Sequence, residues 1–546
     1  MNLGPDDEIG RGDSEEHPAG FYADDVPFRS GVVWHQAPLQ MAFTAALNGF
    51  NPPRPEGHFR YCDLGCGNGM TLNAYAAMYP DAEFLGIDFN PGHIADARAQ
   101  AAELELDNVQ YIQGSFDQVD LSDWPLFDFI GMNGIYSWLD EDVRPAAVRL
   151  VDRALRPGGL FYVEYMTMPG MVAVVPMWHL MQALNPDRGD GSRDRATRAL
   201  RLLEELYNTG MSYLDRHPTA KNAAYGYVSK WRQNPGQVDH FAHNALASGF
   251  QPRFFNEMAA EMAEAGLVFG GRTQFMLNDP DLAVTLQQAG ILRGVEDRNV
   301  RELLSDYMRN ERNRRDVFVK DGAPDVDGAQ GFILNEIRFM DRRPSGAPFP
   351  ELSLPGPRKM GLDNTTYRNL LRACDGAART LREADPEGAI SAATLITAGH
   401  RLAASGSMFI CRPHVAGEPL AEAPEHIRIP DLVNRKRFEK AEEALTGCVV
   451  LCRAVGGTLM QLGPLEVVLV NAWCEHGQSG AVQGALDRLR QSNQQIRIQQ
   501  RPVRADSLTE NQLRGPFNGL VRVRVPNMVR MGAMEAASGD THPTPA

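Results

Sequence analysis

One short stretch limits the possible folds of this chain more than any other feature. It is an apolar segment that runs directly into a glycine-rich turn, Asp63-Leu64-Gly65-Cys66-Gly67-Asn68-Gly69. Arg60–Leu64 has the composition of a short buried strand, and an apolar helix around Thr71–Met78 follows the turn. A strand, a glycine turn and a helix in this order direct backbone N–H groups and a helix N-terminus at an anionic group. The stretch therefore predicts an α/β fold with an anion-binding turn.

Strand-like and helix-like segments alternate on both sides of this turn. The predicted strands are Arg60–Leu64, Glu83–Asp88, Val109–Gln113, Phe127–Met132, Gly159–Tyr165, Leu267–Thr273 and Asp316–Lys320. The helices predicted between them include Pro91–Leu104, Glu141–Leu155, Asn256–Ala265 and a charged helix around Val300–Arg312. Alternation at this spacing predicts a doubly wound, Rossmann-like sheet with helices on its faces.

The composition along the chain predicts five segments. Residues 1–20 are an acidic leader without the features of a secretory signal, and 21–322 form the α/β domain. Within that domain, 171–249 is a mostly helical insertion, which would overhang the carboxyl ends of the strands as a lid, a substrate selector or a homodimer contact. Proline and glycine mark 323–358 as a linker. A separate mixed α/β domain of unknown role follows at 359–530, and 531–546 is a tail.

Within the C-terminal domain, the pattern predicts two helices and two strands. The helices are Thr365–Arg382 and Arg435–Val455, and the strands are Leu465–Val470 and Leu520–Val525. None of them carries a recognisable catalytic motif.

Charge and cysteine content exclude several classes of protein. A formal net charge of −15 argues against a nucleic-acid binder, which needs a cationic face. The seven cysteines are scattered and contain no CxxC, so neither a disulfide framework nor a zinc site is expected. His240 and His243 lack a third ligand nearby, and no metal is expected there either. No apolar run reaches the ~20 residues of a membrane helix, and a cytoplasmic protein is expected.

The spacing of the residues around the turn limits the class of ligand that it can bind. The glycines follow G-x-G-x-G, which differs from the G-x-G-x-x-G of dinucleotide-binding proteins. Asp88 ends the second strand, where an acidic side chain can hold both ribose hydroxyls. The third strand ends in Gly114-Ser115-Phe116 and the fourth in Asn133, which places these residues at the same edge of the sheet as Asp88.

These residues resemble the serial motifs of class I S-adenosylmethionine-dependent methyltransferases, in the stretches YCDLGCGNG, FLGIDFN, QGSFD and RPGGLFYVEY. Longer stretches narrow the resemblance to methyltransferases with a regulatory domain, a group that includes protein-lysine methyltransferases acting on bacterial outer-membrane proteins. They are Met132–Leu139 with Tyr165–Met171, Val238–Gly271 and Asp306–Lys320. The resemblance covers about Gly20 to Gly322 and implies S-adenosylmethionine as the cofactor.

The resemblance implies a role for each matching residue. Those that hold the methionyl end of the cofactor are Asp63, Gly65, Gly67 and Asn68. Those at the nucleoside end are Asp88 on the ribose, Phe89 over the adenine, and Ser115 and Phe116 beside it. Ser115 stands where many class I enzymes have an aspartate, so Asp117 or the Phe116 backbone could make the adenine contact instead. Tyr22 would close over the cofactor, and the methyl-transfer channel would be lined by Asn133, Tyr136 and Trp138.

These residues indicate the methyl acceptor less directly than they indicate the cofactor. A lysine amine must lose a proton before it attacks, and Tyr136 could relay that proton while Glu164 orients the amine. Tyr136 and Trp138 are equally compatible with simple packing. For Glu164, a structural hydrogen bond is favoured over a part in catalysis. Three functions stay open: a protein-lysine methyltransferase, a small-molecule N- or O-methyltransferase of specialised metabolism, and a non-catalytic cofactor-binding regulatory protein.

Overall fold

The structure is a computed structural model. It describes residues 31–184, 191–234, 236, 238–247, 249–343, 346–412, 423–492, 494–498 and 501–537. Tyr22 and the predicted leader lie outside the described residues. The chain forms two compact units: the smaller contains Trp138–Asp142 and Ala173–Gln251, and the larger contains the rest of the described chain.

A seven-stranded sheet organises the larger unit. Its strands are β1 (Arg60–Leu64), β2 (Glu83–Asp88), β3 (Val109–Gln113), β4 (Phe127–Met132), β5 (Leu155–Met166), β6 (Leu267–Arg272) and β7 (Asn313–Lys320). Their order is β3-β2-β1-β4-β5-β7-β6, and β7 runs antiparallel to both of its neighbours. The carboxyl ends of β1–β5, the end of β6 and the start of β7 therefore share one edge. This arrangement confirms the Rossmann-like sheet predicted from the sequence.

Helices cover the sheet. The first four are α1 (Pro38–Leu47), α2 (Met70–Met78), α3 (Pro91–Glu103) and α4 (Val143–Ala154). The start of α3 follows from its sequence, because the Asn90 side chain accepts hydrogen bonds from the backbone N–H groups of Gly92 and His93 at 2.8 and 3.2 Å. The helix predicted at Glu141–Leu155 is shorter and β5 begins earlier than expected, since Leu155 already pairs with Phe127 of β4.

The smaller unit is helical. Its helices are α5 (Val175–Ala183), α6 (Ser192–Thr209), α7 (Ser212–Arg216), α8 (Pro218–Gln233) and α9 (Val238–Ala245). Leu200 and Leu203 of α6 are buried one turn apart, as the amphipathic pattern of this segment predicts. Among the described residues, none of the helices combines the length and the apolar character that a membrane span requires.

The chain then returns to the larger unit through five more helices. They are α10 (Phe255–Ala263), α11 (Pro280–Ala283), α12 (Leu286–Arg293), α13 (Arg298–Arg309) and α14 (Val326–Asn335). The position of α14 corrects the prediction that 323–358 is a linker. Phe332 and Ile333 are buried in the same hydrophobic core as Phe43 of α1, so the apolar spacing of this segment outweighs its few glycines.

Small sheets and helices make up the rest of the chain. The strands are β8 (Arg338–Asp341), β9 (Glu351–Ser353), β10 (Lys359–Gly361), β11 (Arg379–Thr380), β12 (Met408–Cys411), β13 (His426–Arg428), β14 (Cys448–Cys452), β15 (Gly457–Leu462), β16 (Gln495–Ile498), β17 (Arg501–Arg504) and β18 (Glu535–Ala537). The helices are α15 (Thr365–Ala373), α16 (Ala392–Ala404), α17 (Leu432–Glu443), α18 (Pro464–Gln491), α19 (Glu510–Gly519) and α20 (Val525–Arg530).

Four elements predicted for this part are wrong in type or extent. The predicted helix Thr365–Arg382 ends at Ala373, and the predicted helix Arg435–Val455 ends at Glu443 and is followed by a strand. The predicted strand Leu465–Val470 lies inside α18, and Leu520–Val525 is helical. A six-residue apolar run fits a buried helix as well as a strand. At Leu465–Val470 the helix is favoured, because Pro464 is its first residue and the Glu466 side chain accepts a hydrogen bond from the Gly463 N–H.

Candidate functional site

The glycine turn is anchored to the neighbouring strand. After β1, the backbone N–H groups of Gly65 and Cys66 donate to the Ile87 carbonyl of β2 at 2.7 and 3.0 Å. Gly65, Gly67 and Gly69 have φ of 76°, 54° and 74°, a region that other residues rarely adopt. The three glycines therefore allow a backbone path that the sheet edge holds in place.

The three glycines differ in what surrounds them. A Cβ at Gly65 would overlap the Ile135 side chain, and a Cβ at Gly69 would come within 2.6 Å of the Tyr111 hydroxyl. A Cβ at Gly67 would meet nothing within 4 Å. The protein itself excludes larger residues at the first and third positions. At the second position the turn borders open space, which is the cradle that a cofactor would fill.

The N-terminus of α2 opens beside this cradle. The first N–H groups of a helix have no intrahelical acceptor. Gly69, the N-cap of α2, has no side chain that could accept from them. These groups carry partial positive charge. They fit the carboxylate of a methionyl group.

Asp88 lies directly across from the turn. The residue is 5% exposed, and its Oδ2 accepts a hydrogen bond from the Gly67 N–H at 2.9 Å. Oδ1 accepts one from the Asn90 N–H at 3.0 Å and lies 3.4 Å from His93 Nδ1. A carboxylate has about four lone-pair sites, so it can still accept a ribose hydroxyl.

Asp63 is a second buried acid at the turn. Burial raises its pKa to about 7, against the hydrogen bond from Gln36, while the charge of Asp88 raises it further. Gln36 Nε2 lies 3.4 and 3.5 Å from the two carboxylate oxygens. A buried acid with one weak donor fits a cationic group such as the amino group of a methionyl moiety. Sequence analysis missed Gln36, because it precedes α1 and belongs to no motif.

The structure brings the expected adenine-binding residues close to Asp88. Phe89 is 45% exposed and follows Asp88 directly, which leaves an aromatic ring at the surface of the sheet edge. The Gly114 N–H donates to the Asp88 carbonyl at 3.0 Å, which places Ser115 and Phe116 next to the same edge. An exposed apolar ring and a loop that starts at Gly114, both next to Asp88, fit a nucleobase.

Farther along the edge, the ends of β4 and β5 present Asn133 and Glu164. Asn133 Oδ1 accepts a hydrogen bond from the Tyr162 hydroxyl at 3.0 Å. Glu164 Oε1 accepts one from Arg315 Nε at 3.1 Å, and its Oε2 lies 3.9 Å from the position of a Cβ on Gly134. One carboxylate oxygen is thus held by β7 while the other lies beside the loop that follows β4.

Arg315 also contacts His35, which sequence analysis did not identify. Arg315 Nη1 lies 3.0 Å from His35 Nε2, and His35 Nδ1 lies 3.3 Å from the Thr273 hydroxyl. Burial, and then the charge of Arg315, lower the pKa of His35 to about 3. The imidazole is therefore neutral at physiological pH and accepts a hydrogen bond from the guanidinium.

Tyr136 and Trp138, which were expected to line the methyl-transfer channel, both hydrogen-bond to neighbouring residues. Tyr136 is 1% exposed, and its hydroxyl donates to Glu261 of α10. Burial and the Glu261 carboxylate raise the pKa of Tyr136 well above its usual value. Trp138 Nε1 donates to the Asn244 carbonyl at 3.3 Å, and its ring packs on Phe250. Both residues satisfy packing and hydrogen-bonding needs of their own surroundings.

For the cysteines and histidines, the sequence predicts neither disulfides nor a metal site. All seven cysteines are free, and burial raises the pKa of the Cys66 thiol in the turn. In the part of the chain that the structure describes, no group of three or more His, Cys, Asp or Glu side chains could hold a metal ion. His240 and His243 lie in α9.

Two family models match the chain. A methyltransferase domain matches residues 55–199, which include the glycine turn, Asp88 and Glu164. A predicted methyltransferase regulatory domain matches residues 238–320, which include β6, α13 and β7.

Known proteins are similar over different lengths. An uncharacterised protein from Synechocystis is 30% identical over 379 residues, which are 68% of this chain and 72% of that protein. A trans-aconitate 2-methyltransferase from Methylobacterium nodulans is 33% identical over 105 residues, 19% of this chain and 37% of that enzyme. The structure of PKMT2 from Rickettsia typhi in complex with AdoHcy superimposes with a TM-score of 0.63, at 16% identity over 93% of this chain and 99% of that one. This last likeness establishes a common fold.

Proposed function

Because the chain belongs to the class I S-adenosylmethionine-dependent methyltransferases that carry a methyltransferase regulatory domain, we propose that it transfers the methyl group to the side-chain amine of a protein lysine. The chain is an enzyme, and S-adenosylmethionine is its cofactor. The observation that carries the choice of acceptor is the Glu164 carboxylate, which lies at the sheet edge with one oxygen engaged by Arg315.

The described residues fit the cofactor from end to end. The open space at Gly67, the N-terminus of α2 and the Asp63 carboxylate suit its methionyl group. Asp88 suits the ribose, and Phe89 with the Ser115 loop suits the adenine. When bound, the cofactor supplies a methyl group on a sulfonium that is already activated toward nucleophiles. The protein's contribution is to position the acceptor and exclude water.

Glu164 provides what an attacking amine needs at this edge. Its oxygen beside Gly134 can accept an N–H hydrogen bond from the amine, which directs the nitrogen lone pair away from the carboxylate. Arg315 fixes the other oxygen, so the carboxylate has a defined orientation before the acceptor enters. The lysine ammonium releases one proton to solvent water before attack, because only the neutral amine has a lone pair.

Similarity to known proteins supports a protein acceptor. The chain shares its fold with PKMT2 over nearly its whole length. The stretch Val238–Gly271 also resembles methyltransferases with a regulatory domain, a group that includes protein-lysine methyltransferases, and it spans α9, α10 and most of β6.

A second candidate is methyl transfer to a small organic acid. It is favoured by the similarity of one part of the chain to trans-aconitate 2-methyltransferase. That similarity covers 37% of the enzyme, and the observation on Glu164 favours an amine over a carboxylate acceptor, because two carboxylates at one site repel each other.

Isotope transfer separates the two candidates. The purified chain is incubated with methyl-labelled S-adenosylmethionine and either the protein fraction or the small-molecule fraction of one bacterial lysate. Asp88→Ala serves as the inactive variant, and Asp81→Ala, at an exposed turn before β2, as its matched control. We expect label in protein that is recovered as methyl-lysine after acid hydrolysis. Label confined to the small-molecule fraction would contradict the lysine proposal and support the second candidate.

A further inference from the structure

A cavity of about 560 Å³ lies in the larger unit, and no residue of the glycine turn lines it. One wall comes from Trp34 and His35, before α1, and from residues 273–277, after β6. Further lining residues come from the end of α16 and from β12. Its volume is that of a site for a small organic molecule.

Most of the wall is apolar. Phe275, Met408, Ile410 and Leu459 line it, together with Phe409. Polar side chains are few, with Thr273 and two glutamines among them. Apolar walls with a small number of polar groups are typical of sites that bind organic ligands by their hydrophobic body.

The two charged side chains among the lining residues are both cationic. Among its lining residues are Arg309 and Arg342 but no aspartate or glutamate, in a chain of formal net charge −15. Arg309 is already engaged, because its Nε donates to Glu311 at 3.1 Å and its Nη1 to the Ala283 carbonyl at 2.8 Å.

Arg342 is the second arginine of the wall. Within the described part of the chain it makes no ion pair, and its guanidinium lies 5.0 Å from the centre of the Phe409 ring. Partial burial and the nearby Arg524 lower the pKa of Arg342, which an anionic partner would reverse. His35 adds no second charge, since its imidazole is neutral and stacks on Trp34 at 3.7 Å.

From this geometry we propose that the cavity binds a small monoanion with an aromatic or apolar body, whose anionic group pairs with Arg342. The site goes beyond the proposed function and does not depend on a lysine acceptor. It borders the cofactor turn through two consecutive residues: His35 lines the cavity, and Gln36 contacts Asp63. The ligand is therefore either a second, acidic methyl acceptor or an effector that is not methylated.

Binding of anilinonaphthalene sulfonate, a fluorescent aromatic monoanion, tests the site in the full-length chain. We expect saturable binding at one site, unchanged by saturating S-adenosylhomocysteine. Arg342→Gln should weaken binding about tenfold, because a charge-assisted contact is lost. Ala404→Leu should weaken it at least as much, since the larger side chain fills the cavity at the end of α16.

The matched control is Arg368→Gln. Arg368 also lies over a phenylalanine ring, at 4.9 Å from Phe349, but does not line the cavity. This variant should bind the probe as the wild type does. Thermal unfolding of all three variants establishes that they are folded. The proposal is overturned if Arg342→Gln and Arg368→Gln bind equally, if S-adenosylhomocysteine displaces the probe, or if an uncharged analogue of the probe binds the wild type as tightly.

The two sources of the ligand are separated with cinnamate, an aromatic carboxylate, and methyl-labelled cofactor. Label on cinnamate, lost in Arg342→Gln, identifies the cavity as a site for an acidic acceptor. Binding of cinnamate that depends on Arg342 without labelling identifies an effector site. Absence of binding by cinnamate and by the sulfonate probe overturns the proposal.

Discussion

Replacement of Gly67 by alanine should separate cofactor binding from folding. Gly67 has φ of 54°, and an added Cβ meets no protein atom within 4 Å. The cost to the fold is then the left-handed backbone alone, about 1 kcal/mol, which lowers the Tm of a unit of this size by ~1 °C. The same Cβ occupies the space that we assign to the cofactor, and forced overpacking of this kind costs about 3 kcal/mol, or ~100-fold in affinity.

Gly57→Ala is the matched control. Gly57 has φ of 58° and open space around its Cβ position, but it lies in an exposed turn before β1. The two variants carry the same backbone strain and differ in whether the new methyl group faces the cofactor. Isothermal titration calorimetry with S-adenosylhomocysteine and thermal unfolding are measured on both. Equal affinity of Gly67→Ala and Gly57→Ala would refute the assignment of this space.

Three further predictions concern the acids of the site. Asp88→Ala should abolish cofactor binding by calorimetry, whereas Asp81→Ala should not, and unchanged affinity in the first would remove the ribose assignment. Glu164→Gln should lower kcat about 100-fold with cofactor affinity nearly unchanged. If kcat and cofactor affinity fall by the same factor, Glu164 supports the cofactor site instead. The pKa of Asp63 is raised from 3.8 to about 7, so the folded state holds a proton that the unfolded state releases, and stability falls as pH rises through this window. Urea unfolding should show wild type losing about 2.5 kcal/mol relative to Asp63→Asn between pH 5 and pH 8, and parallel pH profiles would contradict this.

Local patterns were enough to predict the strands that carry the site. β1 to β4 lie where the apolar runs place them, because strands buried on both faces of a parallel sheet are nearly continuous in apolar residues. The glycine turn and Asp88 follow from the same local pattern. The roles of the turn and of Asp88 depend on the direction and order of the strands. The alternation of strands and helices along the sequence predicts both.

Contacts between distant segments could not be predicted in this way. His35 and Arg315 are 280 residues apart, and Gln36 precedes Asp63 by 27, with no motif to connect them. Tyr136 lies in a stretch typical of the family, yet its hydroxyl is bound by Glu261, 125 residues later. In the C-terminal part, apolar runs such as Leu465–Val470 are too short to show whether their periodicity is that of a helix or of a strand.

A crystal structure of the full-length chain with S-adenosylhomocysteine is the most direct test of the donor site. It should show the ribose hydroxyls within ~3 Å of the Asp88 carboxylate and the methionyl group against Gly67 and the start of α2. The sulfur of the ligand should lie next to Asn133 and Glu164. A ligand that leaves Asp88 untouched, or that occupies the cavity beside Arg342, would contradict the account.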